Sequence, residues 1–275
     1  MSPLKLMAVL AHPDDESLGA GGTLAKYAAE GVETSLVTAT RGQRGRFHGH
    51  PPGPNHPGPE TLARIREAEL TKAAETLGIR DVSILDHQDG ALDATDPRTV
   101  IADIAGHLRR VRPHVVLTFP PDGSYGHPDH VAISQFTQAA IVAAADLSFT
   151  LDPPGATRPP HTVSKLYYMA WPRSIWTAYQ EALKKLVSIV DGVERQATPW
   201  PDWSITTTVD TRQYCETVWQ AVSCHQSQVA AYEPLKTLSA AGHEAVWGRQ
   251  TFYRAFSFVN GGRQLETDLF EGLRS

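Results

Sequence analysis

The sequence predicts an α/β fold: a mostly parallel sheet with helices on both faces. Three observations carry that expectation. Residues 4–10 (LKLMAVL) form a nearly continuous apolar run, as in a strand buried on both faces. A helical pattern over 23–30 and a second strand pattern over 33–39 complete a strand–helix–strand unit, which implies parallel pairing. The alternation then persists to about residue 145.

The elements read in order as follows. The first strand runs into Ala11-His12-Pro13-Asp14-Asp15-Glu16 and the small residues Gly19-Ala20-Gly21-Gly22, and Gly31 is a natural helix stop. Residues 41–60 (RGQRGRFHGHPPGPNHPGPE) turn abruptly to Gly, Pro and His and read as a loop of the lid or binding kind. A helix over 61–77 closed by Gly78, a strand over 82–85, a helix over 97–110, a strand over 114–119 and a helix over 129–145 follow. Beyond that the pattern is weaker: 164–170 and 205–209 read as strands, 176–189 and 211–231 as helices. With no internal repeat and no clear linker, one domain over 1–275 is expected. Its core is 4–145, and 146–275 completes the sheet and the substrate pocket.

Composition narrows the function classes. The net charge is −5 and no dense Lys/Arg run occurs, which argues against a nucleic-acid partner while leaving room for a locally basic cleft. No stretch approaches the roughly 20 apolar residues of a membrane span, and the chain enters a strand pattern at once, without a signal-peptide architecture. Cys215 and Cys224 would sit about 180° apart on a helix at roughly 100° per residue. They suggest neither a disulfide framework nor a thiolate metal site. A reducing, cytoplasmic setting is the expectation; a homo-oligomer stays open.

Two segments carry chemistry. His12-Pro13-Asp14-Asp15-Glu16 begins just past the carboxyl end of the first strand, where open parallel sheets bind ligands. Imidazole and carboxylate suit a borderline divalent ion such as zinc. Pro13 pushes His12 toward an extended backbone. The adjacent Asp14 and Asp15 diverge, so one can ligate while the other faces the attacking water, and spacing alone does not say which. A plain helix cap is the competing use of an Asp here. The second segment, Tyr125-Gly126-His127-Pro128-Asp129-His130, again follows a predicted strand. His12, one of the first aspartates and His130 make a three-ligand set with an open position, as in catalytic zinc sites. A free carboxylate and a nearby imidazole would supply the proton transfers of amide hydrolysis.

At these residues the sequence resembles the PIG-L, or LmbE-like, family of Rossmann-like zinc enzymes that de-N-acetylate amino sugars. The resemblance rests on AHPDDE at 11–16 and HPDH at 127–130, covers roughly 4–145, and adds His225-Gln226-Ser227-Gln228 on a late helix. It implies zinc, or another divalent transition metal, on His12, Asp15 and His130, with Asp14 as general base. It implies His127 as general acid or oxyanion donor, Asp129 as the group orienting a neighbouring imidazole, and Tyr125 as a donor to the amide carbonyl. The implied substrate is a small N-acetylglucosamine-type amino sugar or its glycoside.

Arg66 and Glu69 match the family pattern and fall within the apolar helix face of Leu62, Ile65, Ala73 and Leu77. Buried charges there must be paired or used: as an i, i+3 pair, or with Arg66 reaching substrate hydroxyls. Asp89, before Gly90, would bind sugar hydroxyls or start a turn. Gln43, also placed at the substrate, stands where relatives commonly have Glu, which weakens any substrate borrowed from them. Trp171, Trp176, Trp200 and Trp203 are either sugar-site or packing aromatics. Two rivals stand beside this reading: an amidase for a larger acyl group or thiol conjugate, and a non-catalytic sugar- or nucleotide-binding module using Gly19–Gly22. The glycine spacing is not GxGxxG, and the presence of Asp14 and His127 favours catalysis.

Overall fold

The computed structural model describes residues 3–150, 158–183, 187–190, 192–262 and 264–274. The first half alternates β1 (Lys5–Leu10), α1 (Asp15–Ala29), β2 (Glu33–Thr40), α2 (Pro59–Leu77), β3 (Asp81–His87), α3 (Pro97–Val111) and β4 (Val115–Thr118). A single irregular turn, α4 (Gly123–Gly126), leads into α5 (Pro128–Ala145). Then come β5 (Lys165–Met169), α6 (Arg173–Leu183), β6 (Val187–Val190), β7 (Val193–Gln196), β8 (Thr207–Asp210), α7 (Cys215–Cys224), α8 (Val229–Lys236), α9 (Ala240–Trp247) and β9 (Arg249–Ser257).

Among the described residues, seven strands share one sheet in the order β3-β2-β1-β4-β5-β9-β8. β1 to β5 are parallel and β9 is antiparallel to both its neighbours. Helical crossovers carry the chain outward from β1 through α1 and α2, then back across to β4 through α3. This places α1 and α2, joined by α7, on one face and the packed pair α3 and α5 on the other. The central strands are apolar on both faces for that reason: Leu6 to Leu10 and Val115 to Leu117 are fully buried. No helix among the described residues is long and apolar enough to cross a membrane.

Four departures from the sequence pattern have physical causes. Helix α1 begins at Asp15 rather than near residue 23, because its glycines are contact points rather than breakers. A Cβ on Gly19 would lie 2.8 Å from the Met169 sulfur, and one on Gly22 would lie 2.8 Å from the Thr211 Cβ. The helix expected over 176–189 stops at Leu183, and 187–189 instead belong to a hairpin strand paired with β7; residues 184–186 lie outside the described residues. The helix expected over 211–231 is broken at 225–228, so the His225-Gln226-Ser227-Gln228 segment is a connection between α7 and α8. Side-chain anchors described below hold that break. Finally β9, with no alternation to announce it, is inserted between β5 and β8.

Candidate active site

Strands β1 and β4 are neighbours, and the chain leaves β1 toward one side of the sheet and β4 toward the other. Their carboxyl ends therefore open the crevice where α/β sheets bind ligands. Between β1 and α1 the backbone of Asp14 adopts φ 114° and ψ −25°, a conformation that costs a non-glycine residue about 1–3 kcal/mol and persists only where its surroundings impose it. They do. The Asp14 N–H donates to Glu16 Oε2 at 2.9 Å. The other Glu16 oxygen meets His225 Nε2 at 2.8 Å and accepts from the Ser17 hydroxyl at 2.5 Å. Glu16 and His225 are both fully buried. Burial alone would discharge each; their mutual attraction outweighs it, lowering the Glu16 pKa and raising that of His225.

The predicted ligands converge. His12 Nδ1 lies 3.2 Å from His130 Nε2 and 3.6 Å from Asp15 Oδ2, and His130 Nε2 lies 3.5 Å from Asp15 Oδ1. A tetrahedral ion with bonds of about 2.0–2.2 Å separates its ligand atoms by about 3.4 Å; each of these distances is of that size, with His12 facing one Asp15 oxygen and His130 the other. Each ring is aimed from behind. His12 Nε2 meets Asp129 Oδ2 at 3.1 Å and Asp89 Oδ1 at 3.2 Å, the carboxylate-backed histidine of metal sites. His130 directs Nδ1 at the Gly123 carbonyl at 3.3 Å and stacks on Phe119 with ring centroids 3.8 Å apart. Two other trios, His12 with His127 and His130 and His12 with Asp89 and Asp129, offer one ligand atom each within 4.8 Å of one another. In the second, the carboxylates are already engaged: Asp129 accepts from the Gly90 and Leu92 N–H groups at 2.7 and 3.0 Å, and Asp89 from the Arg44 N–H at 2.7 Å.

The local field acts differently on each of these groups. Burial opposes charge on His12, but hydrogen bonds to Asp129, Asp15 and Asp89 outweigh it and raise its pKa well above the usual value. Burial dominates at His130, which is pushed down to about 3 and presents a neutral ring. Burial likewise opposes ionisation of Asp15, yet His130 and His12 more than offset it and its pKa falls.

Asp14 has the reverse balance. Burial raises its pKa, and the opposing pull of Arg66 is only partial. Its Oδ2 accepts from Arg66 Nη2 at 3.0 Å and from the Tyr232 hydroxyl at 2.7 Å. The buried pair read from sequence between Arg66 and Glu69 is absent: Glu69 accepts the backbone N–H and hydroxyl of Ser227, both at 2.7 Å. Arg66 instead clamps the loops, donating to the carbonyls of Pro13 and Gly42.

His127 Nδ1 accepts from the Asp129 N–H at 3.2 Å, which leaves the ring proton on Nε2. Burial and the facing His12 lower its pKa. The imidazole that Asp129 orients is thus His12. The Tyr125 ring stands edge-on to His130 at 5.1 Å, and burial raises its pKa, so it keeps its O–H. These side chains open onto a cavity of about 520 Å³ that Asp14, Arg66 and Asp89 also line.

Gln43 does not join that wall; its amide nitrogen donates to the His87 carbonyl at 3.2 Å, at the end of β3. Trp171 does line the cavity, stacked on Tyr179 at 4.7 Å, whereas Trp203 is a largely exposed surface residue. Sequence reasoning missed Tyr232, which reaches Asp14 from α8 with no local motif to mark it. It also missed the support from Glu16, whose signal was present: a carboxylate completing the AHPDDE segment, with a histidine in the late signature.

A doubly wound sheet that gathers two histidines and an aspartate beside a separate buried carboxylate at its switch point suits metal-dependent hydrolysis. The chain belongs to the PIG-L (GlcNAc-PI de-N-acetylase) family, whose model matches residues 7–141. It is 36% identical over 312 aligned positions to the 1D-myo-inositol 2-acetamido-2-deoxy-alpha-D-glucopyranoside deacetylase of Kineococcus radiotolerans, covering 98% of this chain and 83% of that one. Among solved structures it resembles the N,N'-diacetylchitobiose deacetylase of Pyrococcus horikoshii, with TM-score 0.65, 22% identity and coverage of 91% and 83% of the two chains. It also resembles GalB, a 4-carboxy-2-hydroxymuconate hydratase from Pseudomonas putida, with TM-score 0.68, 19% identity and coverage of 94% and 99%. A deacetylase and a hydratase on one architecture mean that the fold does not choose the reaction; the site does.

Proposed function

We infer that this chain hydrolyses the N-acetyl group of an N-acetylglucosamine glycoside, releasing acetate and the free amine. The relative from Kineococcus bears the name of such a reaction. The observation that carries the reading is the ligand triangle of His12, Asp15 and His130 with the Asp14 carboxylate beside it, outside the ligand set. Zinc held by that triangle would act as a Lewis acid toward the amide carbonyl and make a water nucleophilic near neutral pH.

The chain's own residues supply the rest. Asp14 takes the proton of the attacking water; burial makes it a stronger base than an exposed carboxylate, and Arg66 and Tyr232 fix its orientation. His127, with its proton on Nε2, faces the cavity as donor to the oxyanion and the leaving nitrogen. Tyr125 adds a second neutral donor. Asp129 and Asp89 hold the His12 ring, and Asp89 thereby has only its remaining acceptor capacity for a substrate hydroxyl. The chain works as one domain, its C-terminal part supplying Tyr232 and the Trp171 wall.

The test is acetate release from N-acetylglucosamine glycosides, α-linked inositol included, by zinc-loaded protein and an Asp14→Ala variant of verified zinc content. Release by the wild type and its loss in the variant are expected. A zinc-loaded wild type inert toward every N-acetyl glycoside would sink the reading.

A further inference from the structure

Glu69 is a buried carboxylate that the chemistry above does not use. It stands about one turn beyond Arg66 on α2, and both are buried on the same helix. Burying a carboxylate is costly unless it is paired or hydrogen-bonded. Among the described residues both of its oxygens are spent on one partner: Oε1 accepts the Ser227 N–H and Oε2 the Ser227 hydroxyl, each at 2.7 Å. The other polar groups of Ser227 are held as well. Its carbonyl accepts the His48 N–H at 2.7 Å, and its Oγ accepts from Gln228 Nε2 at 3.1 Å. Ser227 is thereby a buried fixed point in the connection that leads from α7 into α8.

The helix that follows needs such a point. α8 has 8 residues, carries Pro234 inside it and buries only Leu235. Isolated helices shorter than about 12–15 residues are marginal in water, and an internal proline removes a backbone hydrogen bond. Neither its own ladder nor a broad apolar face therefore fixes where α8 sits. Yet near its start Tyr232 must donate to Asp14 Oδ2, which it does at 2.7 Å, and a hydrogen bond does not survive a shift of about 1 Å from that length. Helix α2 thus reaches Asp14 by two routes. Arg66 donates to the carboxylate directly at 3.0 Å, and Glu69 reaches it through Ser227, the start of α8 and Tyr232.

We propose that Glu69 is a positioning residue: its grip on Ser227 sets the register of α8 and so holds the Tyr232 hydroxyl on Asp14. The consequence for turnover rests on the deacetylase reading, whereas the latch itself does not. Glu69 and Ser227 act on the orientation of the base and not on the substrate, so their loss belongs in kcat rather than in KM.

Two measurements test this, on zinc-loaded wild type, Glu69→Gln, Ser227→Ala and Tyr232→Phe, with each latch variant also made in the Tyr232→Phe background. In acetate release, Glu69→Gln and Ser227→Ala should each lower kcat by about three- to tenfold, the scale of one hydrogen bond, with KM and zinc content retained. In the Tyr232→Phe background neither should cost anything further, because the hydroxyl through which the latch acts is already gone. The same loss in both backgrounds would mean a general structural role and overturn the proposal. The second measurement needs no turnover: fluorine NMR of protein carrying fluorotyrosine at position 232 alone. Asp14→Ala fixes the direction in which the resonance moves when the bond to Asp14 is lost, and both latch variants should move it the same way. A resonance unmoved in both also overturns the proposal. If no glycoside releases acetate, the deacetylase reading falls, while a resonance that moves in the latch variants still upholds the latch. Should Glu69→Gln fail to fold, Ser227→Ala, which removes a single hydroxyl, carries both comparisons.

Discussion

The two edges of the main sheet each bury a charged network, and the networks are built to opposite ends. At the carboxyl edge of the parallel strands, Asp14 sits in a left-handed backbone conformation, its carboxylate facing a cavity with a raised pKa. At the other edge, where β5 begins, Glu266 is fully enclosed. It accepts from Lys165 Nζ at 2.6 Å, Asn260 Nδ2 at 2.6 Å and the hydroxyls of Tyr167 and Thr207, both at 2.7 Å, with Arg254 at 2.8 Å. None of these residues lines the catalytic cavity. Burial opposes the charge of Glu266, but Lys165, Asn260, Thr207 and Tyr167 outweigh it and hold its pKa at about 2. The first network keeps a carboxylate on a strained backbone and open to a cavity; the second spends its charge on tying the C-terminal segment to the sheet.

That contrast can be broken at four points. Asp14→Asn keeps a side chain that tolerates positive φ and removes the base, so kcat should fall by about 10²–10⁴-fold with melting temperature unchanged or raised. A large fall in melting temperature would mean that Asp14 is structural after all. Glu266→Ala leaves Lys165 and Arg254 without their carboxylate and should cost about 3–5 kcal/mol in urea unfolding, with kcat of the folded enzyme unaffected. The same residue gives a pH signature. Its folded pKa is depressed from 4.5 to about 2, so its contribution is complete above about pH 4.5 and is lost as pH falls toward 2. Urea midpoints across that window should slope less in Glu266→Gln than in the wild type. Asp129→Asn withdraws the acceptor behind His12 and should weaken zinc binding by about 10–100-fold, measured by competition with a chelator; unchanged affinity would place Asp129 outside the metal site. The smallest effect is expected from Glu16→Gln, which exchanges one of the two acceptor oxygens supporting the Asp14 N–H and His225 for a donor. A drop in kcat of about tenfold with zinc affinity retained would show that the Glu16 carboxylate positions the base.

Much of this was legible in the chain itself. The apolar runs of β1, β2 and β4 announced a parallel sheet, because strands covered on both faces must be continuously apolar. The two His-Pro-Asp segments announced that their histidines and aspartates would meet, because each follows a strand whose carboxyl end must face the crevice. The later elements were obscured by tertiary contacts that override local pattern. The glycines of α1 look like loop residues until Met169 and Thr211 are seen against them. The stretch over 211–231 looks like one helix until Glu16 and Glu69 are seen drawing His225 and Ser227 out of it. Gln43 looked like a substrate residue from its position after β2, yet it turns to His87.

The sequence by itself determined the fold class and the residue types gathered at the candidate metal site, because strand periodicity and ligand chemistry are local properties. Only the tertiary structure decided that the two adjacent aspartates diverge, Asp15 toward His12 and His130 and Asp14 toward Arg66 and Tyr232, which lie 52 and 218 positions away. The physical reason is distance along the chain. Two side chains that far apart touch only after strand order and helix packing are set, and no periodicity in the sequence records which of the possible meetings the fold selects.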